Sequence, residues 1–74
     1  MLYSIEVKTD NQKAWRELSV KMRSVEALKT DIHSYIVMYA QDRQVNDGIV
    51  SARIIDENKQ VMYTRLSDVQ TNKA

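Results

Sequence analysis

A chain of 74 residues without a single cysteine has no disulfide to brace it and no thiolate to hold a metal. Whatever it folds into must rest on burying apolar side chains. Chains this short bury only about 60% of the surface that unfolding exposes, which leaves their stability marginal. The usual aids are disulfides, a metal or self-association. The only histidine, His33, does not suffice for a conventional zinc site. Self-association remains, so a homodimer is an early expectation. A cysteine-free chain also fits a reducing, cytoplasmic setting.

Charge and hydropathy narrow the partners. Eleven basic residues stand against ten acidic ones, for a net charge of +1, and the two signs are interspersed. A dedicated nucleic-acid binder carries a concentrated basic face, so nucleic acid is a disfavoured partner, and an acidic mimic of DNA is disfavoured as well. The longest apolar run, Ile36-Val37-Met38-Tyr39-Ala40, is far too short to span a bilayer. Met1-Leu2-Tyr3-Ser4-Ile5-Glu6 has neither the basic nor the apolar segment of a signal peptide. No membrane partner is expected. With 43% hydrophobic and 28% charged residues, the composition is that of a folded domain.

Proline is absent and Gly48 is the only glycine, so the secondary structure must be read from periodicity. From Leu2 to Lys8 the chain alternates, with Tyr3, Ile5 and Val7 on one side and Ser4, Glu6 and Lys8 on the other; this predicts a half-buried strand. Thr9 to Lys13 is polar and turn-rich. Residues 14 to 43 admit two readings. In the first, Trp15 to Arg23 is a strand with Leu18, Val20 and Met22 inward. Ser24 then caps a helix from Val25 to about Asp42, whose apolar stripe is Val25, Leu28, Ile32, Tyr35, Ile36 and Tyr39. In the second, residues 11 to 30 form the helix, opened by a Thr9–Gln12 capping box, and Ile32 to Ala40 is a strand. The first is preferred because it gives Ser24 a role and buries Val20. Downstream, Asn46-Asp47-Gly48 predicts a turn, and Ile49 to Ile55 and Val61 to Leu66 predict strands. The loop Asp56 to Gln60 joins them, with Asn58 best suited to positive φ.

Both readings give a single α+β domain over residues 1–66, with one helix packed on a roughly four-stranded antiparallel sheet. The order is ββαββ in the preferred reading and βαβββ in the alternative. Residues 67–74 are polar and are expected to fray.

No constellation of catalytic, cofactor-binding or metal-ligating residues emerges. His33 lies off the apolar stripe, and its neighbour Asp31 does not share its side of a helix. Asp56 and Glu57 belong to a turn. Asp42, Asn46 and Asp47 lack the alternate spacing and closing glutamate of a calcium loop. A lone glycine cannot build a phosphate cradle, and no serine sits in a nucleophile-elbow context. The chain reads as a non-enzyme without cofactor or metal.

What remains is a surface. If Val50, Ala52 and Ile54 face the helix, then Ile49 and Ile55 face away, on the side that also carries Glu17, Lys21, Arg23, Arg53 and either Tyr63 or Arg65. Val37 points away from the helix stripe, and Met38 lies on its flank. Trp15 is expected to cover the edge of the core with its ring N–H in water. Isolated apolar surface residues are ordinary. A mixture of apolar, aromatic and arginine side chains, however, is the composition of recognition surfaces. The expected partner-binding residues are therefore Trp15, Arg23, Val37, Ile49, Arg53, Ile55, Tyr63 and Arg65. The expected function is protein binding through the sheet face or an edge strand, as an inhibitor or adaptor in the style of compact phage and mobile-element proteins. The alternatives are a weak nucleic-acid binder using Arg23, Arg53, Arg65 and Tyr63, and a small structural subunit of a larger assembly.

Overall fold

The computed structural model describes residues 1–10, 12–43 and 47–70. Strands β1 (Tyr3–Thr9) and β2 (Arg16–Met22) precede one helix, α1 (Val25–Asp42), which is followed by β3 (Asp47–Ile55) and β4 (Val61–Gln70). The strands form one antiparallel sheet in the order β2-β1-β3-β4. The architecture is α+β with ββαββ order, as the preferred reading has it.

Local chemistry explains why the first reading wins. Ser24 adopts an extended conformation (φ −130°, ψ 125°), and its hydroxyl accepts the Ala27 N–H at 3.2 Å. That satisfies one of the donors a helix start leaves free. Glu26 adds a negative charge to the first turn, where the helix dipole favours it. Upstream, Leu18, Val20 and Met22 alternate and lean on the core, which a helix over the same residues would not allow. The Thr9–Gln12 pairing of the second reading is also present, though in a turn. The Gln12 N–H donates to the Thr9 carbonyl at 3.1 Å, and the Thr9 N–H donates to Gln12 Oε1 at 3.0 Å. A capping-box sequence closes the β1–β2 connection instead of opening a helix.

The core lies between the helix and one face of the sheet. The central strands supply Ile5, Val7, Val50, Ala52 and Ile54, and the helix supplies Leu28, Ile32, Ile36, Tyr39 and Ala40, all buried. Cross-strand register places Ile5 opposite Ile54 and Val7 opposite Ala52, so the inward positions meet in rows. Each fully buried Leu or Ile contributes about 1.5–3 kcal/mol. Tyr3, Val25, Tyr35 and Tyr63 close the margins. At the helix C-terminus the Tyr39 hydroxyl donates to Gln12 Oε1 at 3.0 Å, tying that end to the β1–β2 turn.

Three local expectations are corrected. Strand β4 continues beyond Leu66, because Ser67 pairs with Val50 and Asp68 with Ile49; of the expected frayed tail 67–74, only 71–74 lie outside the described residues. Asp47 and Gly48 begin β3 instead of forming a turn, and Asn46 lies outside the described residues. Gly48 has φ 122°, where an L side chain would be strained. In the β3–β4 hairpin the residue with positive φ is Lys59 (67°), not Asn58. Asp56 decides this. Its Oδ1 accepts the N–H groups of Asn58 at 2.8 Å and Gln60 at 2.9 Å, and its carbonyl accepts the Lys59 N–H at 3.1 Å. A turn through Glu57 and Asn58 leaves the left-handed position to the residue that follows it.

Candidate interaction surface

The sheet face turned away from the helix has two unlike halves. Over β1 and β2 the chain covers itself. Glu6 lies opposite both Glu17 and Arg53 in the register. Two carboxylates directly opposite one another repel, and each is drawn to its own cations. The Arg53 Nε donates to Glu6 Oε1 at 2.8 Å. Glu17 takes Lys21 at 3.2 Å and Lys59 at 3.3 Å. Those two ammonium groups, Lys21 first, hold the Glu17 carboxyl below its ordinary value. The Trp15 ring closes this half, with the Arg53 guanidinium carbon 4.0 Å and Lys8 Nζ 5.5 Å from its centroid. Contacts of this kind are worth about 0.5–2 kcal/mol. Beneath them Ser4 and Glu6 are buried although they face outward.

Over β3 and β4 nothing among the described residues plays that part. Ile49 is 43% exposed and Leu66 66% exposed, with Asp68 and Ser51 as their cross-strand neighbours. Val61 and Met62, beside the register shift near the hairpin, are also exposed. Exposed apolar side chains thus stand at two places, Ile49 with Leu66 toward one end of the β3–β4 pair and Val61 with Met62 at the hairpin, with Thr64 between them on β4.

A second concavity lies between β2 and the C-terminal half of the helix. It is a groove of about 650 Å³ lined by Leu18, Val20, Tyr35, Met38 and Tyr39, with Gln41 and Asp42 at one end. Met38 is 62% exposed there. A smaller polar cleft of about 200 Å³ beside the β3–β4 hairpin is lined by Leu2, Ser4, Glu17, Ile55, Asp56 and Lys59.

The residues expected to meet a partner are distributed as follows. Arg53 and Trp15 come together on the outer face, where each covers the other. Trp15 is therefore not a cover for the core edge; it packs on the opposite side of the sheet, because Arg53 and Lys8 offer it cations there. Ile49 is outward and exposed. Ile55 faces outward but is only 1% exposed, so it has almost no area to offer. Tyr63 stands opposite Ile54 and packs on the helix side, with Lys29 Nζ 4.8 Å from its ring. Arg65 shares that side, opposite Ala52, and its Nε donates to the Ser67 hydroxyl at 3.2 Å. Arg23 is exposed between β2 and the helix cap, and Val37 is half-buried on the helix. Of the four residues of the nucleic-acid alternative, Arg53 is thus on the outer face, Tyr63 and Arg65 are on the helix side, and Arg23 lies outside the strands. His33 is exposed on the helix, and among the described residues no three His, Cys, Asp or Glu side chains converge as a metal site would require. Leu66, the most exposed large apolar side chain among the described residues, is not singled out by the sequence reading; the alternation within Val61–Leu66 is the available signal.

No helix among the described residues is long and apolar enough to cross a membrane. Comparison with protein-family models, with curated proteins and with solved structures finds no match for this chain.

Proposed function

We propose that this chain is a non-catalytic protein-binding module that docks on a larger protein through the outer face of its sheet and the adjoining free edge, as an inhibitor or adaptor. One observation carries the reading: the outer face is covered by the chain's own side chains over β1 and β2, whereas over β3 and β4 it leaves Ile49 and Leu66 exposed among Ser51, Thr64 and Asp68. Ile49, Val61, Met62 and Leu66 expose hydrocarbon at the sheet margin. Ile49 and Leu66 are diagonal neighbours in the register, and adjoining exposed apolar residues mark interaction sites more often than scattered ones do. The Trp15–Arg53–Glu6 cluster gives this strip a rigid, charged border, the arrangement of an apolar centre with a polar rim.

The test is retrieval of bound protein by the immobilised full chain, compared with Leu66→Lys and with His33→Ala on the helix. The expected result is a retrieved protein that His33→Ala keeps and Leu66→Lys loses by at least about tenfold, the scale of one truncated anchor residue. Retrieval insensitive to both Leu66→Lys and Ile49→Lys overturns the assignment of the face.

A further inference from the structure

The sheet has two outer strands, and they are protected unequally. Strand β2 is short and broken in register: Ser4 pairs with Lys21 and Glu6 with Glu17, so extra residues bulge between them. It also carries Arg16, Glu17 and Lys21. Bulges, short length and charge are the devices by which sheets keep an edge from pairing. Strand β4 has ten residues, no proline and no glycine, and its only charged residues are Arg65 and Asp68. Its register with β3 is regular from Asp47↔Gln70 through Ile54↔Tyr63. Among the described residues no strand occupies its other side. A long, regular edge presents a row of backbone donors and acceptors to any extended chain, so an unprotected one calls for an occupant.

We infer that the occupant is a second copy of this chain, paired through β4 antiparallel to β4 about a two-fold axis at Leu66. This rests on the protein-binding reading above: the second copy takes the β4 edge, and the joined outer faces of the two copies are what a larger protein meets. The strand's own pattern selects the register. In a symmetric antiparallel pair, opposed residues share a face, and a two-fold axis places the central residue against itself. An axis at Arg65 opposes two guanidinium groups, and an axis at Asp68 opposes two carboxylates; both are disfavoured. An axis at Leu66 opposes the two most exposed apolar side chains. It also sets Thr64 against the partner copy's Asp68, where the hydroxyl donates to the carboxylate, and Arg65 against the partner copy's Ser67, again donor to acceptor. Every opposed pair from Thr64 to Asp68 is then apolar with apolar or donor with acceptor. The net charge of +1 puts little long-range repulsion in the way. The product is a continuous eight-stranded sheet with both helices on one side and the two Leu66 side chains joining the apolar strips on the other. Such an edge contact is small, so the dimer falls in the micromolar range.

The register makes a prediction that surface stickiness does not. Sedimentation equilibrium of the full chain over about 1 µM to 1 mM, concentrations bracketing that affinity, is expected to show reversible dimerisation. Leu66→Lys places two like charges at the axis and abolishes it. Thr64→Lys brings an ammonium opposite the partner copy's Asp68 at two symmetric places and tightens the dimer about threefold to tenfold, from the size of cross-strand ion pairs. Both positions are exposed, and the Arg53 that Thr64 faces within the chain is already paired with Glu6, so circular dichroism is expected to match that of the parent chain. If Leu66→Lys does not fold, Thr64→Lys still decides. A monomer throughout the range overturns the inference, as does a dimer that Thr64→Lys weakens. A monomer that still retrieves another protein by way of Leu66 overturns the second copy as occupant and leaves the protein-binding reading standing.

Discussion

Arg53 lies over Trp15, its guanidinium carbon 4.0 Å from the ring centroid, although Trp15 stands just before β2 and Arg53 on β3, with β1 between those strands. The same arginine donates to Glu6 at 2.8 Å. The stack therefore does two things. It neutralises an almost buried carboxylate on β1, and it roofs the β1–β2 half of the outer face. Removing the arginine leaves Glu6 buried beside Glu17 without a counter-charge. Arg53→Leu is expected to lower stability by about 1–3 kcal/mol, in the range for a hydrogen bond to a charged group. Glu6→Gln with Arg53→Leu is expected to cost less than the sum of the two single changes. Urea unfolding of the four proteins in this cycle measures it.

Glu17 makes stability depend on pH in a defined direction. Lys21 and Lys59 hold its carboxyl below the ordinary glutamate value in the folded chain. A depressed folded-state value means the unfolded chain takes up the proton more readily. The contribution is thus fully present above the ordinary glutamate range and is lost as pH falls through the lower folded value. The side chain is about one-third exposed, so salt screens the effect and its size is small. An NMR titration of Glu17 is expected to show a midpoint below that of free glutamate, moving upward in Lys59→Gln and in high salt.

The β3–β4 hairpin turns on Asp56, which is buried and accepts two backbone N–H groups through one oxygen. Asp56→Ala orphans both and is expected to cost about 1–2 kcal/mol, comparable to losing a helix cap. Lys59 carries the positive φ at which glycine is free of strain. Lys59→Gly is expected to be neutral or to stabilise by up to about 1 kcal/mol, because the exposed ion pair it loses with Glu17 is worth little. Thermal unfolding of the two variants is expected to move the midpoint in opposite directions or, for Lys59→Gly, not at all.

Gln12 is a small hub. Its Oε1 accepts both the Thr9 N–H and the Tyr39 hydroxyl, each at 3.0 Å, so one side chain fastens the β1–β2 turn to the end of the helix. Gln12→Ala leaves the Tyr39 hydroxyl without its partner beside a buried ring. A loss of about 1–2 kcal/mol is expected. Tyr39→Phe in the Gln12→Ala background is expected to cost little more, which denaturant unfolding of the pair checks.

The parts of the fold legible in the sequence are those written locally. The alternation of Leu18, Val20 and Met22, the cap at Ser24 and the three-and-four spacing from Leu28 to Tyr39 each need only their neighbours. What sequence could not place depends on residues far along the chain. Trp15 sits where it does because Arg53 and Lys8 meet it on the outer face, and no local pattern names that face. Ser67 and Asp68 look like tail residues and become strand only because Val50 and Ile49 pair with them. Asn58 is the residue most at ease with positive φ, yet the hydrogen bonds of Asp56 put that conformation one residue later. The outward facing of Ile49 was legible from alternation alone, whereas the burial of Ile55 depends on distant residues such as Leu2 and Glu17, which line the same cleft.

Amide hydrogen exchange along the two outer strands, recorded in dilute and in concentrated solution, tests most directly that β4 is the edge on which a second copy of the chain pairs. The outward N–H groups of β4 around Leu66 are expected to exchange fast when dilute and to gain protection as concentration rises, while those of β2 stay fast in both. Exchange along β4 that is the same at both concentrations, or protection that builds on β2 instead, contradicts it.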